Sequence, residues 1–269
     1  MPKPDKSYKN LDFLNSVEAR SLRILAEYLE PGRRFRMQGV HDTIVMFGSA
    51  RTLPGEVARS RYQSAKEGLE RAVSDAEKAS AAAQIKVAEA KLRNSRYYDD
   101  ARMLSRRLTQ WSQDNKDGRY AICTGGGPGI MEAGNRGAKD VEGGRSVGLG
   151  ISLPFEEEVN QYVPPELAFE FHYFFMRKYW FLYLAKALVV FPGGFGTLDE
   201  LAELLTLRQT GKVTKNLPIV LFGTDYWSRV LDLDVMLEYG TISEKDLLLF
   251  HHSDSVDEAY DFLVSALQE

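Results

Sequence analysis

The chain has 269 residues, of which 44% are hydrophobic, and its 34 basic and 38 acidic residues give a net charge of −4. This length and apolar content predict a substantial core, and the charge balance argues against a protein that binds nucleic acid polymers or anionic membranes. The single cysteine, Cys123, excludes an internal disulfide and favours a reducing cytoplasm. The four histidines lack the spacing of zinc ligands, so we expect neither a metal nor a cofactor.

The first residues, Met-Pro-Lys-Pro-Asp-Lys, lack the apolar core of a signal peptide. No stretch reaches the roughly 18 consecutive apolar residues of a membrane span. We therefore expect a protein of the cytoplasm that does not contact a membrane. We also expect one domain over residues 1–269, with an N-terminal helical extension at 1–40 and a helical insertion at 55–95.

The N-terminal extension contains leucines at helical spacing between Leu11 and Leu29. This pattern predicts one amphipathic helix that packs on the core, and the pair Pro31-Gly32 predicts its end.

The stretch from Glu56 to Asn94 is rich in Ala, Glu, Lys and Arg, with Gly68 as its only helix breaker. It predicts either a helical hairpin or one long protruding helix. A solvated, charged insertion with no specific role and a lid or oligomerisation arm remain open alternatives.

Short β-branched apolar runs alternate with amphipathic segments along the rest of the chain. The predicted strands are Thr43 to Phe47, Tyr120 to Cys123, Ser146 to Ile151, Ala187 to Phe191 and Leu217 to Phe222. This alternation is typical of an α/β fold, a Rossmann-like doubly wound parallel sheet with helices on both faces. Such sheets bind ligands at the carboxyl ends of their strands, where the strand order reverses.

A first glycine-rich loop, residues 125–129, follows the second predicted strand and opens a helix predicted from Ile130 to Lys139. Its Gly125, Gly126 and Gly127 would let backbone amides approach a phosphate. Ile130 replaces the third glycine of a dinucleotide fingerprint, which argues against an NAD site. The chain has no Walker A motif, which argues against a P-loop triphosphatase. Gly48 and Ser49, after the first strand, are expected to join this site.

A second glycine-rich loop, residues 192–197, contains Gly193, Gly194, Gly196 and Thr197 and is followed closely by Glu200. Its glycines and its place after a buried strand indicate a phosphate site with an adjacent carboxylate. The competing interpretation is a capping box, in which the side chains of Thr197 and Glu200 would only cap their own helix.

The aromatic segment 169–180 is typical of a core, and we interpret His172 as a packed histidine rather than a base. Arg177 lies among apolar neighbours in this segment, so its guanidinium must reach water or an anion. Lysine side chains are usually exposed, and we expect the same of Lys178.

These motifs resemble the LOG ("lonely guy") family, the cytokinin-activating phosphoribohydrolases once labelled lysine decarboxylases. The similarity rests on residues 125–133, 176–178 and 192–200 and extends over about residues 43–222. It implies hydrolysis of the N-glycosidic bond of a nucleoside 5′-monophosphate, either AMP or a cytokinin riboside monophosphate, to free base and ribose 5-phosphate. It further implies a homodimer or larger homo-oligomer.

The resemblance implies catalytic roles for Arg177 and Glu200. The residues it implies for phosphate or nucleotide binding are Gly48, Ser49, Gly125, Gly126, Gly127, Met176, Lys178, Gly193, Gly194, Gly196 and Thr197. The long insertion departs from the compact plant-type members and leaves the base specificity open. Two alternatives remain: a non-catalytic nucleotide sensor or carrier, and an amino-acid decarboxylase, although no lysine has a setting that favours pyridoxal phosphate.

Overall fold

The computed structural model describes residues 6–153 and 159–268. Its strands are β1 (Asp42–Phe47), β2 (Tyr120–Thr124), β3 (Ser146–Ile151), β4 (Ala168–Phe171), β5 (Ala185–Val190), β6 (Ile219–Phe222) and β7 (His251–Ser253). Its α-helices are α1 (Leu11–Asn15), α2 (Arg20–Met37), α3 (Gly55–Arg71), α4 (Asp75–Asn94), α5 (Arg96–Lys116), α6 (Ile130–Lys139), α7 (Phe174–Tyr183), α8 (Phe195–Gln209), α9 (Thr224–Val230), α10 (Leu233–Glu238) and α11 (Val256–Gln268).

The seven strands form one parallel sheet in the order β4-β3-β2-β1-β5-β6-β7. From β1 the order runs through β2 and β3 to β4 on one side, and through β5 and β6 to β7 on the other. The topological switch point therefore lies between β1 and β5, where a crevice opens beyond the carboxyl ends of the strands.

The central strand β1 shows how the sheet is covered, because all six of its residues are buried. Val45 and Phe47 pack in one core with residues of α2, α7 and α8. Ile44 and Met46 point to the opposite face and pack with residues of α5, α6 and α11. The fold is therefore α/β and Rossmann-like with helices on both faces, which confirms the sequence prediction.

All five predicted strands exist, with ends shifted by no more than a few residues, and α6 has the predicted bounds. Two edge strands were not predicted. The strand β4 overlaps the start of the aromatic segment and has only four residues, of which Phe169 and Phe171 are buried and Glu170 is exposed. The strand β7 has only three residues and contains two histidines.

The predicted end of the N-terminal helix at Pro31-Gly32 is wrong, because α2 continues through both residues to Met37. The segment from Leu11 is also divided into two helices, α1 and α2. A proline inside a helix leaves the carbonyl four residues earlier without its amide donor. Here that carbonyl belongs to Glu27, and it accepts a hydrogen bond from the indole Nε1 of Trp180 at 2.9 Å. The partner from α7 explains how the helix tolerates its proline.

The insertion is a helical hairpin of α3 and α4, followed by α5, which returns the chain to the sheet. A capping box formed by Ser74 and Glu77 starts α4. The role of the hairpin and the single-domain interpretation stay predictions. The signal-peptide argument concerned mainly residues 1–5, which lie outside the described residues. Within the described ranges, no helix is both long and apolar enough to cross a membrane.

Candidate active site

A cleft of about 660 Å³ lies at the switch point of the sheet. Three loops meet there, and Ser49 connects them through its backbone. Its amide donates to the carbonyl of Pro192 at 3.0 Å, and its carbonyl accepts from the amide of Ile130 at 3.1 Å. The turn after β1 thus joins both glycine loops, as the sequence predicts. The predicted residues that line the cleft are Gly48, Ser49, Gly125, Arg177, Gly193, Gly194, Gly196, Thr197 and Glu200.

The second glycine loop opens α8 without a side-chain cap. The N-cap residue is Gly194, and Thr197 lies inside the first turn, where its amide donates to the Gly194 carbonyl. Glu200 is only 8% exposed and turns away from its own helix start toward α7. The capping-box interpretation of Thr197 and Glu200 is therefore wrong.

The carboxylate of Glu200 faces two cations on α7. Its Oε1 lies 3.6 Å from Nη2 of Arg177, and its Oε2 lies 3.4 Å from Nζ of Lys178. The Arg177 side chain is 15% exposed, so this ion pair is largely shielded from water. Oε1 of Glu200 and Nε of Arg177 are buried and have no hydrogen-bond partner within the described chain. Hydrogen-bonding capacity thus remains for a ligand in the cleft.

Burial and charge act in opposite directions on this pair. Burial raises the pKa of Glu200 above its ordinary value, while Lys178 and Arg177 oppose that shift. Burial lowers the pKa of Arg177, and Glu200 and Asp199 oppose that shift. The Glu200 carboxylate is therefore stabilised by Lys178 and Arg177, and the Arg177 guanidinium by Glu200 and Asp199, since isolated buried charges are costly.

Lys178 is placed differently from its sequence expectation, because its side chain is only 16% exposed. Its Nζ contacts Asp199 and Glu203 at 2.8 Å each, besides Glu200. Neither Lys178 nor Met176 is among the residues that line the cleft, and Met176 packs against the core instead. The geometry therefore relates Lys178 to the carboxylate of Glu200 rather than directly to a nucleotide.

The glycines of the second loop differ in what requires them. A Cβ at Gly193 would lie 2.1 Å from the Thr197 hydroxyl oxygen, so close packing explains this glycine. A Cβ at Gly194 or Gly196 would meet no atom of the described chain within 4 Å, and neither residue has a positive φ. Both line the cleft beside the first amides of α8, which lack intrahelical acceptors. Their small size leaves room for an anion at the helix N-terminus.

The glycines of the first loop are explained mainly by backbone geometry. Gly126 has a φ of 75°, and a Cβ at Gly129 would lie 2.3 Å from the Ser49 carbonyl oxygen. Gly125 borders the cleft, whereas Gly126 and Gly127 are not among its lining residues. This loop supports the cleft more than it forms its surface.

The chain is similar in sequence to known proteins. The family model described as "Possible lysine decarboxylase" matches residues 131–263. The pyrimidine/purine nucleotide 5′-monophosphate nucleosidases of Escherichia coli strains K12 and O157:H7 are each 30% identical over 155 residues. This is a LOG-like protein.

The match to these nucleosidases covers 51% of the LOG-like chain but only 31% of each relative, so the chain spans less than a third of their length. A molybdenum cofactor binding protein from the phototrophic bacterium Rippkaea orientalis is a structural neighbour. Its TM-score is 0.44 at 18% identity, and the match covers 64% of this chain and 88% of that one.

Several residues of the LOG-like site were missed by sequence reasoning. Tyr226 lines the cleft and donates its hydroxyl to the Gly193 carbonyl, which fixes the second loop. Asn160 donates to the carbonyls of Gly126 and Gly127 at 2.9 and 3.0 Å and fixes the first. Arg51 and Phe195 also line the cleft, and Phe195 is 92% exposed. The contacts of Tyr226 and Asn160 join residues more than 30 positions apart, so the local sequence gives no signal for them.

Among residues 6–153 and 159–268, no group of three or more His, Cys, Asp or Glu side chains could hold a metal ion. His172 is exposed, so its interpretation as a packed histidine is wrong, and its backbone amide donates to the Glu27 carboxylate.

Proposed function

We propose that this LOG-like protein hydrolyses the N-glycosidic bond of nucleoside 5′-monophosphates and releases the free base and ribose 5-phosphate. One observation carries the proposal: the buried Glu200 carboxylate, paired with Arg177, shares a cleft with the glycine-lined N-terminus of α8. A helix N-terminus attracts a phosphate through its free amides and its dipole. A carboxylate in the same cleft is suited to the cationic ribosyl centre that forms when the glycosidic bond breaks.

The proposed mechanism gives each group one task. The amides at Gly194 to Gly196 bind the 5′-phosphate and fix the ribose in one position. Ionised Glu200 stabilises positive charge at the anomeric carbon and orients a ribose hydroxyl or the attacking water. Arg177 holds Glu200 in place and uses its remaining donors on the departing base. The water oxygen forms a bond to the anomeric carbon, its proton passes to the base, and the base leaves with the electrons of the C–N bond.

The nucleosidase activity of the E. coli relatives supports the substrate class, although the match extends over only 31% of their length. Within that class we propose AMP or a cytokinin riboside monophosphate as the substrate. We further propose a homodimer that acts in the cytoplasm. The free, buried Cys123 is consistent with a reducing compartment, and exposed apolar side chains on α2 and α7, such as Leu25 and Phe174, are consistent with self-association.

The decarboxylase alternative fits the residues of the cleft poorly. Pyridoxal phosphate requires a lysine for its Schiff base. Among the described residues that line the cleft there is no lysine, and the nearby Lys178 is held by three carboxylates. We therefore assign no step to this cofactor.

The test is chromatographic detection of free base and ribose 5-phosphate from AMP, GMP, CMP, UMP and isopentenyladenosine monophosphate, with adenosine as the substrate that lacks a phosphate. The proposal predicts base release from at least one monophosphate, little from adenosine, and none with Glu200→Gln. Tight binding of a monophosphate without base release would contradict the proposal and favour a nucleotide sensor.

A further inference from the structure

The N-terminal helix α2 contacts α7 on both sides of Arg177 and Lys178. At the start of α7, the Glu27 carboxylate accepts hydrogen bonds from the amides of His172 and Tyr173 at 2.8 and 3.2 Å. At the next turns, the Glu27 carbonyl accepts from the Trp180 indole. One residue of α2 therefore holds α7 at two points that bracket both cations in sequence.

The sequence of α2 is adapted to this contact. Pro31 has no amide that could compete with Trp180 for the Glu27 carbonyl. A Cβ at Gly32 would lie 2.8 Å from the Trp180 ring, so only glycine allows the indole to approach this closely. Two residues that usually end a helix thus provide the space and the free acceptor that Trp180 uses.

The start of α7 lacks a cap of its own. Its N-cap residue is Tyr173, whose side chain makes no capping hydrogen bond. The carboxylate of Glu27 does not bind the amides of the first turn, but it accepts from the two amides that precede α7, including that of the N-cap residue Tyr173. It also places a negative charge near the positive end of the helix dipole. A third contact anchors the preceding strand, since Arg34 donates to the Ala168 carbonyl at 2.7 Å.

We propose that Glu27 is a positioning residue for the reaction: it fixes α7 so that Arg177 and Lys178 face Glu200. This inference rests on the proposed function. It gives the N-terminal extension a role in catalysis, although no residue of α2 lines the cleft among the described residues. A displacement of about 1 Å at a reacting group can lower turnover by up to about 100-fold, so a small shift of α7 is sufficient.

The test compares Glu27→Ala, Glu27→Gln and the control Asp12→Ala, which removes an exposed carboxylate from the neighbouring helix α1. We expect Glu27→Ala to lower kcat on AMP roughly 10- to 100-fold. KM should change little, because the second glycine-rich loop, which is proposed to bind the phosphate, is unchanged. Glu27→Gln keeps one acceptor oxygen and is expected to recover most of that loss. Asp12→Ala is expected to behave as the wild type.

A second readout separates positioning from a general loss of stability. Glu200 is faced by Arg177 and Lys178 from α7 and by Glu203 from its own helix. Asp199 contacts Lys178, and Arg51 lines the same cleft. If α7 shifts, its two cations withdraw, the pKa of Glu200 rises, and the acidic limb of the kcat/KM profile moves to higher pH. Lower stability alone would not move that limb.

Hydrogen exchange measured by mass spectrometry provides a readout that does not depend on activity. In Glu27→Ala, the amides of His172, Tyr173 and the first turn of α7 should exchange several-fold faster, with no change in α11. Wild-type kcat, an unmoved acidic limb and unchanged exchange in Glu27→Ala would overturn the inference. Faster exchange in a protein whose wild type releases no base would instead retain the contact and reject the proposed function.

Discussion

Nη2 of Arg177 lies 3.6 Å from Oε1 of Glu200, and this ion pair joins α7 to α8 at the edge of the cleft. Both side chains are largely buried, and each charge lowers the cost of burying the other. The glycine loop that opens α8 places Glu200 about one and a half turns from a helix N-terminus. The proposed anion site and a carboxylate thereby lie on the same helix.

Gly196→Ala should separate stability from ligand binding. Alanine is favoured over glycine inside a helix by about 1 kcal/mol, and the new methyl group would meet no described atom within 4 Å. We expect the free energy of unfolding to rise by up to about 1 kcal/mol and KM for AMP to increase at least several-fold.

Gly68→Ala is the matched control, because Gly68 also lies in a helix with open space at its Cβ but is far from the cleft in α3. It should stabilise the protein without changing KM. Denaturant titration and initial-rate kinetics measure both effects, and an unchanged KM in Gly196→Ala would contradict the assigned phosphate site.

Lys178→Met should move the pH dependence of activity. Glu200 must be ionised to stabilise a cationic ribosyl centre. Lys178 lowers the pKa of Glu200 against the effect of burial, so removing the lysine raises that pKa further. The acidic limb of kcat/KM should therefore move to higher pH, whereas exposed Lys212→Met should leave it in place. If Lys178 instead bound the nucleotide phosphate directly, KM would rise with no movement of the limb.

Asn160→Ala should loosen the first glycine loop. The side-chain amide donates to Gly126, Gly127 and the Oδ1 of Asn135, and all three acceptors would lose this donor. Loss of a partner for buried acceptors costs about 1–3 kcal/mol. We expect a fall of that order in the free energy of unfolding, together with a higher KM. Asn94→Ala, at an exposed helix end, is the control. Equal stability of the two variants would contradict the role of Asn160.

Trp180→Phe and Pro31→Ala should show coupled effects on stability. Trp180→Phe removes the donor to the Glu27 carbonyl. In the Pro31→Ala background, the new amide of residue 31 can replace that donor, so the same change should cost less. A double-mutant cycle measured by denaturant titration should give a coupling of about 0.5–3 kcal/mol. Additive effects would show that the indole hydrogen bond does not compensate for the proline.

Local sequence signals predict the cleft but not the path of α2. The cleft could be predicted because glycine loops after buried strands meet at the switch point of a parallel sheet, and that is a local signal. The path of α2 through Pro31 could not, since the compensating donor, Trp180, is 149 positions away in sequence and its contact is tertiary.

The positions of Lys178 and Glu200 illustrate the same limit. The residue type favoured an exposed Lys178, and the spacing between Thr197 and Glu200 allowed Glu200 to cap its own helix. Packing of α7 against α8 decided both, because it brought Lys178 to three carboxylates and Glu200 to two cations. Which partner a buried charge finds depends on helix packing rather than on local sequence.

The most direct test of the central claim is the stoichiometry of products from a nucleoside 5′-monophosphate, measured for the wild type and for Glu200→Gln. We expect equal amounts of free base and ribose 5-phosphate from the wild type. In the folded Glu200→Gln variant, we expect the rate of product formation to fall at least about 100-fold. Products consisting of nucleoside and inorganic phosphate, or unchanged turnover in Glu200→Gln, would contradict the central claim.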